Sequence, residues 1–194
     1  MVKVAIAGDF CDCGRVTPLI KDGRYSEIFS EVKPIIEAAD YSLVNFEFPI
    51  LEGEPTPILK CGPCLSGQKE TIDAIKYAGF KCATLANNHI LDQGEDNCLY
   101  TKDLLERAGV DTVGVGENVN EASKILYKTI NGEKLAVINC CEHEFSIATE
   151  NTAGANALNP IQQFYSIQEA RKSADYVLVV AHGGHEHYQL PSPR

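Results

Sequence analysis

Short apolar segments alternate with amphipathic segments along most of the chain. Runs rich in β-branched and other apolar residues predict strands at Val2–Ala7, Tyr41–Phe46, Lys81–Leu85, Asp111–Val113 and Tyr176–Ala181. Apolar residues at helical spacing predict helices at Tyr25–Ala39, Gln68–Ala78, Glu95–Ala108 and Ile161–Ser173. We expect the last strand to be buried. This alternation of strands and helices is typical of an α/β fold with a largely parallel sheet.

Turn-forming residues separate these elements. Pro49–Pro63 contains four prolines and two glycines, so it predicts a long loop. The dipeptide Asn131-Gly132, a strong hairpin signal, joins the predicted strands Lys124–Ile130 and Lys134–Asn139 and adds some antiparallel character. No internal repeat or linker divides the 194 residues. We therefore expect a single domain that spans residues 1–194.

The composition of the chain argues against nucleic-acid-binding and membrane-spanning proteins. Apolar residues make up 44% of the chain and charged residues 23%, as in ordinary soluble globular proteins. The 27 acidic residues outnumber the 17 basic ones, and the net charge of −10 argues against binding the phosphate backbone of nucleic acids. The sequence has no signal-peptide pattern and no run of roughly 20 apolar residues. We expect a cytoplasmic protein without a membrane partner. Its substrate would be a small molecule or a polymer, and the chain could also form a homo-oligomer.

Chemically capable polar residues follow the predicted strands. The carboxyl ends of parallel strands meet at the same edge of a sheet, where α/β proteins bind ligands. We therefore expect one sheet edge to collect a set of carboxylate, amide and imidazole side chains. The set is Asp9, Glu47, Asn88, His89 and His182.

These donor groups together favour a divalent metal site. Two nearby carboxylates repel each other unless a cation lies between them. Carboxylate, amide and imidazole donors suit Mn, Fe or Zn, and two such ions can hold a water molecule and a phosphoryl oxygen together. Each motif alone has a simpler interpretation: Asp9 suits a turn or cap, Glu47 a solvated loop, and His143 a loop histidine. The cluster of three histidines within Ala181–Tyr188 argues more strongly for a site, because the chain has only five.

One segment resembles a known family. Leu85–Gly94, with the sequence LANNHILDQG, resembles the central motif of CapA proteins of bacterial capsule and poly-γ-glutamate synthesis, within the calcineurin-like metallophosphoesterase superfamily. The flanking motifs follow in the family's order at Gly8-Asp9, Val44–Glu47, Val113–Asn118 and Ala181–Gly184. The resemblance covers nearly the whole chain. It implies a two-sheet sandwich flanked by helices, with α/β/β/α layers.

The resemblance also implies metal ligands and a reaction class. Asp9 and Glu47 would ligate metal, with Glu47 as the bridging group, Asn88 would ligate a second metal, and His182 would be a further ligand. The implied activity is that of a metal-dependent hydrolase, with one or two Mn, Fe or Zn ions. Its substrate would be a phosphate ester or an amide-linked polymer of poly-γ-glutamate or capsule production.

Three further residues take implied catalytic roles. His89 would stand near the leaving group as an acid or a stabiliser of the transition state. Asp92 and Glu186 would orient the imidazoles, a function that metal sites commonly need.

The sequence departs from the family at its C-terminal end. Family members continue to another strand that ends in a Gly-His-His-Pro-His type motif. This sequence ends at Pro191–Arg194 without one, so we expect an α/β/β/α fold that lacks the last strand and its histidine motif. A non-catalytic accessory protein of the same fold is therefore the alternative hypothesis.

The cysteines offer a third hypothesis. Cys61-Gly62-Pro63-Cys64 has the spelling of a thioredoxin-type redox motif, but it follows a proline-rich loop rather than a strand. Together with Cys11 and Cys13, the same pair could form a four-thiolate zinc site. Reduced loop or core thiols remain the main expectation for all eight cysteines.

Overall fold

The structure, a computed structural model, describes residues 2–184 and Leu190. The strands are Val4–Phe10 (β1), Tyr41–Phe46 (β2), Cys82–Thr84 (β3), Asp111–Val113 (β4), Val115–Gly116 (β5), Leu126–Ile130 (β6), Glu133–Cys141 (β7), Gly154–Ala155 (β8) and Tyr176–His182 (β9). The helices are Val16–Lys21 (α1), Tyr25–Phe29 (α2), Lys33–Glu37 (α3), Glu70–Ala78 (α4), Gly94–Arg107 (α5), Val119–Ala122 (α6) and Pro160–Ala170 (α7). None of these helices combines the length and the apolar character that crossing a membrane would require.

The strands form two main sheets and one small one. In the first sheet, β1, β2, β3 and β4 are neighbours in that order and all run parallel. In the second, β6 pairs antiparallel with β7, and β7 pairs parallel with β9. β5 and β8 form the small antiparallel pair. The predicted hairpin is confirmed, because Asn131 and Gly132 take the positive φ values of 52° and 84° that its tight turn needs.

Three apolar clusters arrange these elements in four layers. The largest cluster packs helices α1 to α5 against one face of the first sheet, with Phe46 and Ile75 fully buried. A second cluster fills the space between the two sheets and includes Leu43 and Val137. The third packs Ala170 of α7 against the outer face of β7. The α/β/β/α layers implied by the family resemblance are therefore confirmed.

Strand periodicity decides which polar residues lie between the sheets. Successive side chains of a strand point to opposite faces, so residues two positions apart share a face. Leu43 in β2, Val137 in β7 and Val180 in β9 all belong to the cluster between the sheets. The residues two positions further along are polar, and they bring hydrogen-bonding groups to the carboxyl ends of both sheets. They are Asn45, Asn139 and His182.

The prediction of a buried final strand is wrong. β9 lies at an edge of the second sheet, and Tyr176 and Val179 on it are 50% and 40% exposed. β1 is likewise an edge strand, and its Ile6 is 56% exposed. β9 is apolar because its inward face packs between the sheets. Sequence pattern alone does not distinguish such an edge strand from a central one.

The predicted helix Tyr25–Ala39 is also corrected. The structure divides this stretch into α2 and α3, with Pro34 in the first turn of α3. Proline has no backbone N–H, and its ring clashes with the carbonyl four residues earlier, so one continuous helix is disfavoured here. The elements α1, β5, α6 and β8 were not predicted, because each is too short to show a periodic pattern.

Substituting Gly114 with Ala is expected to destabilise the fold strongly. Gly114 has φ +102°, and a Cβ there would lie 2.1 Å from Asn139 Oδ1 and 2.8 Å from Ala86 N. Asn139 Oδ1 accepts a hydrogen bond from Ala86 N at 2.7 Å, so the new methyl group would break this link between the sheets. We expect a loss of about 3 kcal/mol or more in the free energy of unfolding, measured by urea titration.

Gly109→Ala is the matched control. Gly109 also has a positive φ, +80°, but nothing lies within 4 Å of its added Cβ. Its substitution should cost only the backbone strain of about 1–2 kcal/mol. Equal losses in the two variants would show that the contact with Asn139 contributes nothing.

Candidate metal centre

Three predicted ligands meet at the carboxyl ends of the two sheets. Asp9 lies in β1, Glu47 directly follows β2, and His182 ends β9. Each offers a ligand atom, and these atoms all lie within 4.8 Å of one another. His182 Nδ1 is 3.4 Å from Asp9 Oδ1, and His182 Nε2 is 3.5 Å from Glu47 Oε1. Among residues 2–184 and Leu190, no other group of three or more His, Cys, Asp or Glu has this arrangement.

The expectation that one edge of one sheet collects the site is corrected. Asp9, Glu47 and Asn88 come from the first sheet and its loops, whereas His182 comes from the second. The site therefore lies across the gap between the sheets. Asp9 also lies within β1, which continues to Phe10 instead of ending at Ala7, and the register with β2 shifts between Ile6 and Asp9.

A chain of amide side chains holds this arrangement together. Asn45 Nδ2 donates to Asp9 Oδ1 at 2.7 Å and lies 3.2 Å from His182 Nδ1. Asn87 Nδ2 donates to Asn45 Oδ1 at 3.2 Å and to the Phe46 carbonyl at 3.0 Å. On its other side, Asn87 Oδ1 accepts from the His89 backbone N–H at 3.1 Å. These bonds fix β1, β2 and the loop after β3 relative to one another.

The electrostatics of the three ligands fit a bound cation. The hydrogen bond to His182 lowers the pKa of Asp9, although burial opposes this. Burial and then the charge of Asp9 raise the pKa of Glu47. For His182, burial disfavours the charged ring, but Asp9 and Glu47 together outweigh it and raise the pKa. Two converging carboxylates, one of which resists ionisation, form a site that a divalent cation would relieve.

Asn88 lies beside the three ligands. Its Oδ1 is 2.9 Å from His182 Nε2, so an amide oxygen faces the same imidazole as Glu47. This places the predicted ligand next to the cluster. Its role in binding a second metal stays a prediction.

His89 and Asp92 form a pair beside the ligands. His89 Nδ1 lies 2.7 Å from Asp92 Oδ2, and Asp92 is fully buried. A positive charge on His89 would lower the pKa of Glu47, so the pair and the metal ligands are electrostatically linked. Asp92 thus contacts the imidazole that it is expected to orient, and that role stays a prediction. Glu186, the third predicted catalytic residue, and the neighbouring His185 and His187 lie outside the described residues.

Sequence reasoning missed Lys60 entirely. Its ammonium forms an ion pair with Asp92 and lies 3.3 Å from His89 Nδ1. Nothing in the proline-rich loop marks this lysine as different from a surface one. Asn139 was also missed, although a detectable signal existed: an amide within the apolar run of β7 needs a buried partner.

The cysteines do not assemble into a thiolate zinc site in the described part of the chain. All eight are free, and none belongs to a group of potential metal ligands there. Cys13 and Cys61 are exposed, whereas Cys82, Cys98, Cys140 and Cys141 are buried. Burial raises the pKa of all four, to about 12 for Cys82, Cys98 and Cys141.

A thiol reagent is therefore expected to label the folded protein at Cys13 and Cys61 first, because the thiolate is the reactive form. The four buried cysteines should react only after unfolding, as peptide mass spectrometry over a time course would show. Rapid labelling of Cys98 in the folded protein would contradict the packing described above.

Comparison with known proteins places this chain in a family. A family model described as "Bacterial capsule synthesis protein PGA_cap" matches residues 3–194. The chain belongs to the PGA_cap family. Capsule biosynthesis protein CapA of Bacillus anthracis is 31% identical over 201 residues, which cover 100% of this chain and 49% of that protein. PGA biosynthesis protein CapA of Bacillus subtilis (strain 168) is 28% identical, covering 100% of this chain and 52% of that protein.

The PGA_cap chain thus spans about half the length of these curated relatives. Its family links it to capsule and poly-γ-glutamate synthesis. Among solved structures, a phosphatase from Mycoplasma pneumoniae is similar, with a TM-score of 0.51 and 19% identity, covering 95% of this chain and 56% of that one. At this identity the likeness shows the fold alone. The metallophosphoesterase fold implied by the sequence resemblance is confirmed.

Proposed function

We propose that this PGA_cap chain is a metal-dependent hydrolase of phosphoesterase type that acts in poly-γ-glutamate or capsule production. The observation that supports it is the convergence of Asp9, Glu47 and His182 within 4.8 Å. Carboxylate and imidazole donors suit Mn, Fe or Zn. A divalent cation bound there would polarise a phosphoryl or carbonyl oxygen and activate water for attack.

The chain's own residues supply binding geometry and proton transfer. Asn45 orients Asp9 and His182 through its side-chain amide. Asn88 presents an amide oxygen to the same cleft. His89 Nδ1 faces the Asp92 carboxylate at 2.7 Å, which leaves Nε2 as the nitrogen available to a substrate. We propose that His89 donates a proton to the leaving group or stabilises its developing charge.

Replacing His89 with Asn tests this role. With the chain loaded with Mn or Zn and bis(p-nitrophenyl) phosphate as the probe, we expect kcat to fall about 100-fold, the lower range for general acid catalysis. Metal content, measured by elemental mass spectrometry, should stay unchanged. Lys172→Met, which removes an exposed lysine paired with Glu169, is the control for nonspecific effects. An equal kcat for the His89 variant and its parent would contradict the proposed role of His89 at the leaving group.

A non-catalytic accessory role in the same process is the second candidate. The described residues contain one three-membered ligand group, which suits one metal ion better than two. Metal binding without turnover of the phosphodiester probe or of a γ-glutamyl oligomer would favour this alternative over hydrolysis.

A further inference from the structure

The long proline-rich loop is attached to the segment that carries Asp92. Thr56 N donates to Gln93 Oε1 at 2.9 Å, and Thr56 Oγ1 donates to the Gln93 carbonyl at 2.7 Å. Ile58 N donates to the Asp92 carbonyl at 3.0 Å. Further along, Gln93 Nε2 donates to the Leu65 carbonyl at 3.2 Å. These bonds flank Lys60 on both sides, so the loop reaches the His89–Asp92 pair in a fixed position.

Lys60 itself is removed from solvent at this point. Its side chain is 2% exposed, and the Asp92 side chain is 0% exposed. The ammonium lies 5.3 Å from the centre of the Phe145 ring, within the range of a cation–π contact. A lysine this buried needs a charged partner, since an isolated ammonium in the interior is very costly. Its ion pair with Asp92 supplies that partner.

Asp92 accepts three donors at once. Lys60 Nζ binds Oδ1, while Oδ2 accepts from Leu65 N at 2.6 Å and lies 2.7 Å from His89 Nδ1. With both carboxylate oxygens held, Asp92 cannot rotate away from the imidazole. Lys60 Nζ also lies 3.3 Å from His89 Nδ1. An ammonium can only donate, so with hydrogen on Nδ1 both nitrogens would donate to the Asp92 carboxylate and not to each other.

We propose that Lys60 is a positioning residue: through Asp92 it fixes His89 as the tautomer with hydrogen on Nδ1, which leaves Nε2 for the substrate. The proposal deepens the hydrolase function above and rests on it for its kinetic consequence. Lys60 does not bind substrate directly, because its ammonium is buried and already paired. The tautomer itself is a property of the folded chain and does not depend on turnover.

The first test reads the tautomer in the metal-free protein. Nitrogen-15 NMR of the imidazole side chains at about pH 8, where an ordinary histidine is neutral, separates the two tautomers. We expect His89 to carry its hydrogen on Nδ1 in the unmodified chain, and Lys60→Met to give a mixture of tautomers. A His89 ring with hydrogen on Nε2 in the unmodified chain would overturn the proposal, whether or not any variant folds.

The second test separates positioning from mere structural support. With Mn-loaded protein and bis(p-nitrophenyl) phosphate, we expect Lys60→Met to lower kcat about 10- to 100-fold, the usual cost of losing a group that orients a ligand or acid. KM and metal content should stay unchanged. Lys60→Arg keeps the charge, so we expect it to retain the Nδ1 tautomer and recover part of kcat. Lys172→Met is the matched control on the surface.

The outcomes separate this proposal from the proposed function. A folded Lys60→Met protein with an unchanged tautomer and an unchanged kcat would refute the positioning role. If no form of the chain turns over the probe, the hydrolase proposal fails, and the NMR result still decides whether Lys60 fixes His89. If Lys60→Met does not fold, the His89 tautomer is measured in the unmodified chain and in Lys60→Arg instead.

Discussion

Glu47→Gln is expected to abolish tight metal binding and, at the same time, to raise the melting temperature of the metal-free protein. The loss of binding follows from the removal of one of three charged or imidazole ligands that lie within 4.8 Å of one another. We expect the affinity for Mn or Zn to fall by more than about 100-fold, since even residues that only orient ligands cost up to that amount.

The gain in stability follows from the raised pKa of Glu47. Burial and the nearby Asp9 raise this pKa above the ordinary value of 4.5, so the folded state binds the proton more tightly than the unfolded state does. For such a group, stability is greatest below about pH 4.5 and falls as the pH rises through the folded-state pKa. At neutral pH the ionised carboxylate therefore destabilises the metal-free fold. Glutamine resembles the protonated form and removes this cost.

Calorimetry of metal-free and metal-loaded protein checks both expectations. Below pH 4.5 the variant and its parent should have similar melting temperatures, and above it the variant should melt a few degrees higher. Added metal should raise the melting temperature of the parent but not of the variant, because a ligand stabilises only the state that binds it. Glu150→Gln changes an exposed glutamate and serves as the control. A variant that keeps its metal would show that Glu47 is not a ligand.

Asp92→Asn is expected to cause the largest loss of stability among single changes at the site. It leaves the Lys60 ammonium, with a side chain that is 2% exposed, without its charged partner. Removing one member of a buried ion pair costs about 3–5 kcal/mol. For a chain of this size, that corresponds to a fall of roughly 6–20 °C in melting temperature. Urea titration gives the free energy of unfolding directly.

A double-mutant cycle identifies the source of this loss. Lys60→Met combined with Asp92→Asn removes both buried charges, so the double variant should be more stable than the sum of the two single losses predicts. Asp103→Asn breaks an exposed ion pair with Arg107 and should change stability by no more than about 1 kcal/mol. Additive losses for Lys60 and Asp92 would contradict direct coupling between the two charges.

Much of the fold follows from local sequence signals. The apolar run Tyr41–Phe46 predicts a strand correctly at both ends, and the hairpin at Asn131-Gly132 follows from the positive φ values that its turn requires. The LANNHILDQG segment predicts the family, which the comparison confirms. Where prediction failed, the signal was weak or absent. Pro34 divides one expected helix, and the strand order places β9 at a sheet edge, with Val179 exposed.

The residue types at the site could be predicted from the sequence, because each candidate ligand lies close to the end of an apolar run and α/β proteins bind ligands beyond the carboxyl ends of their strands. The origin of the ligands in two different sheets, with Asp9 and Glu47 from the first and His182 from the second, follows only from the packing of the layers. It also brought Lys60 to Asp92, 32 positions along the chain, through a loop without any periodic pattern. Local patterns report which face of an element is apolar, whereas the pairing of distant polar groups depends on how whole layers pack.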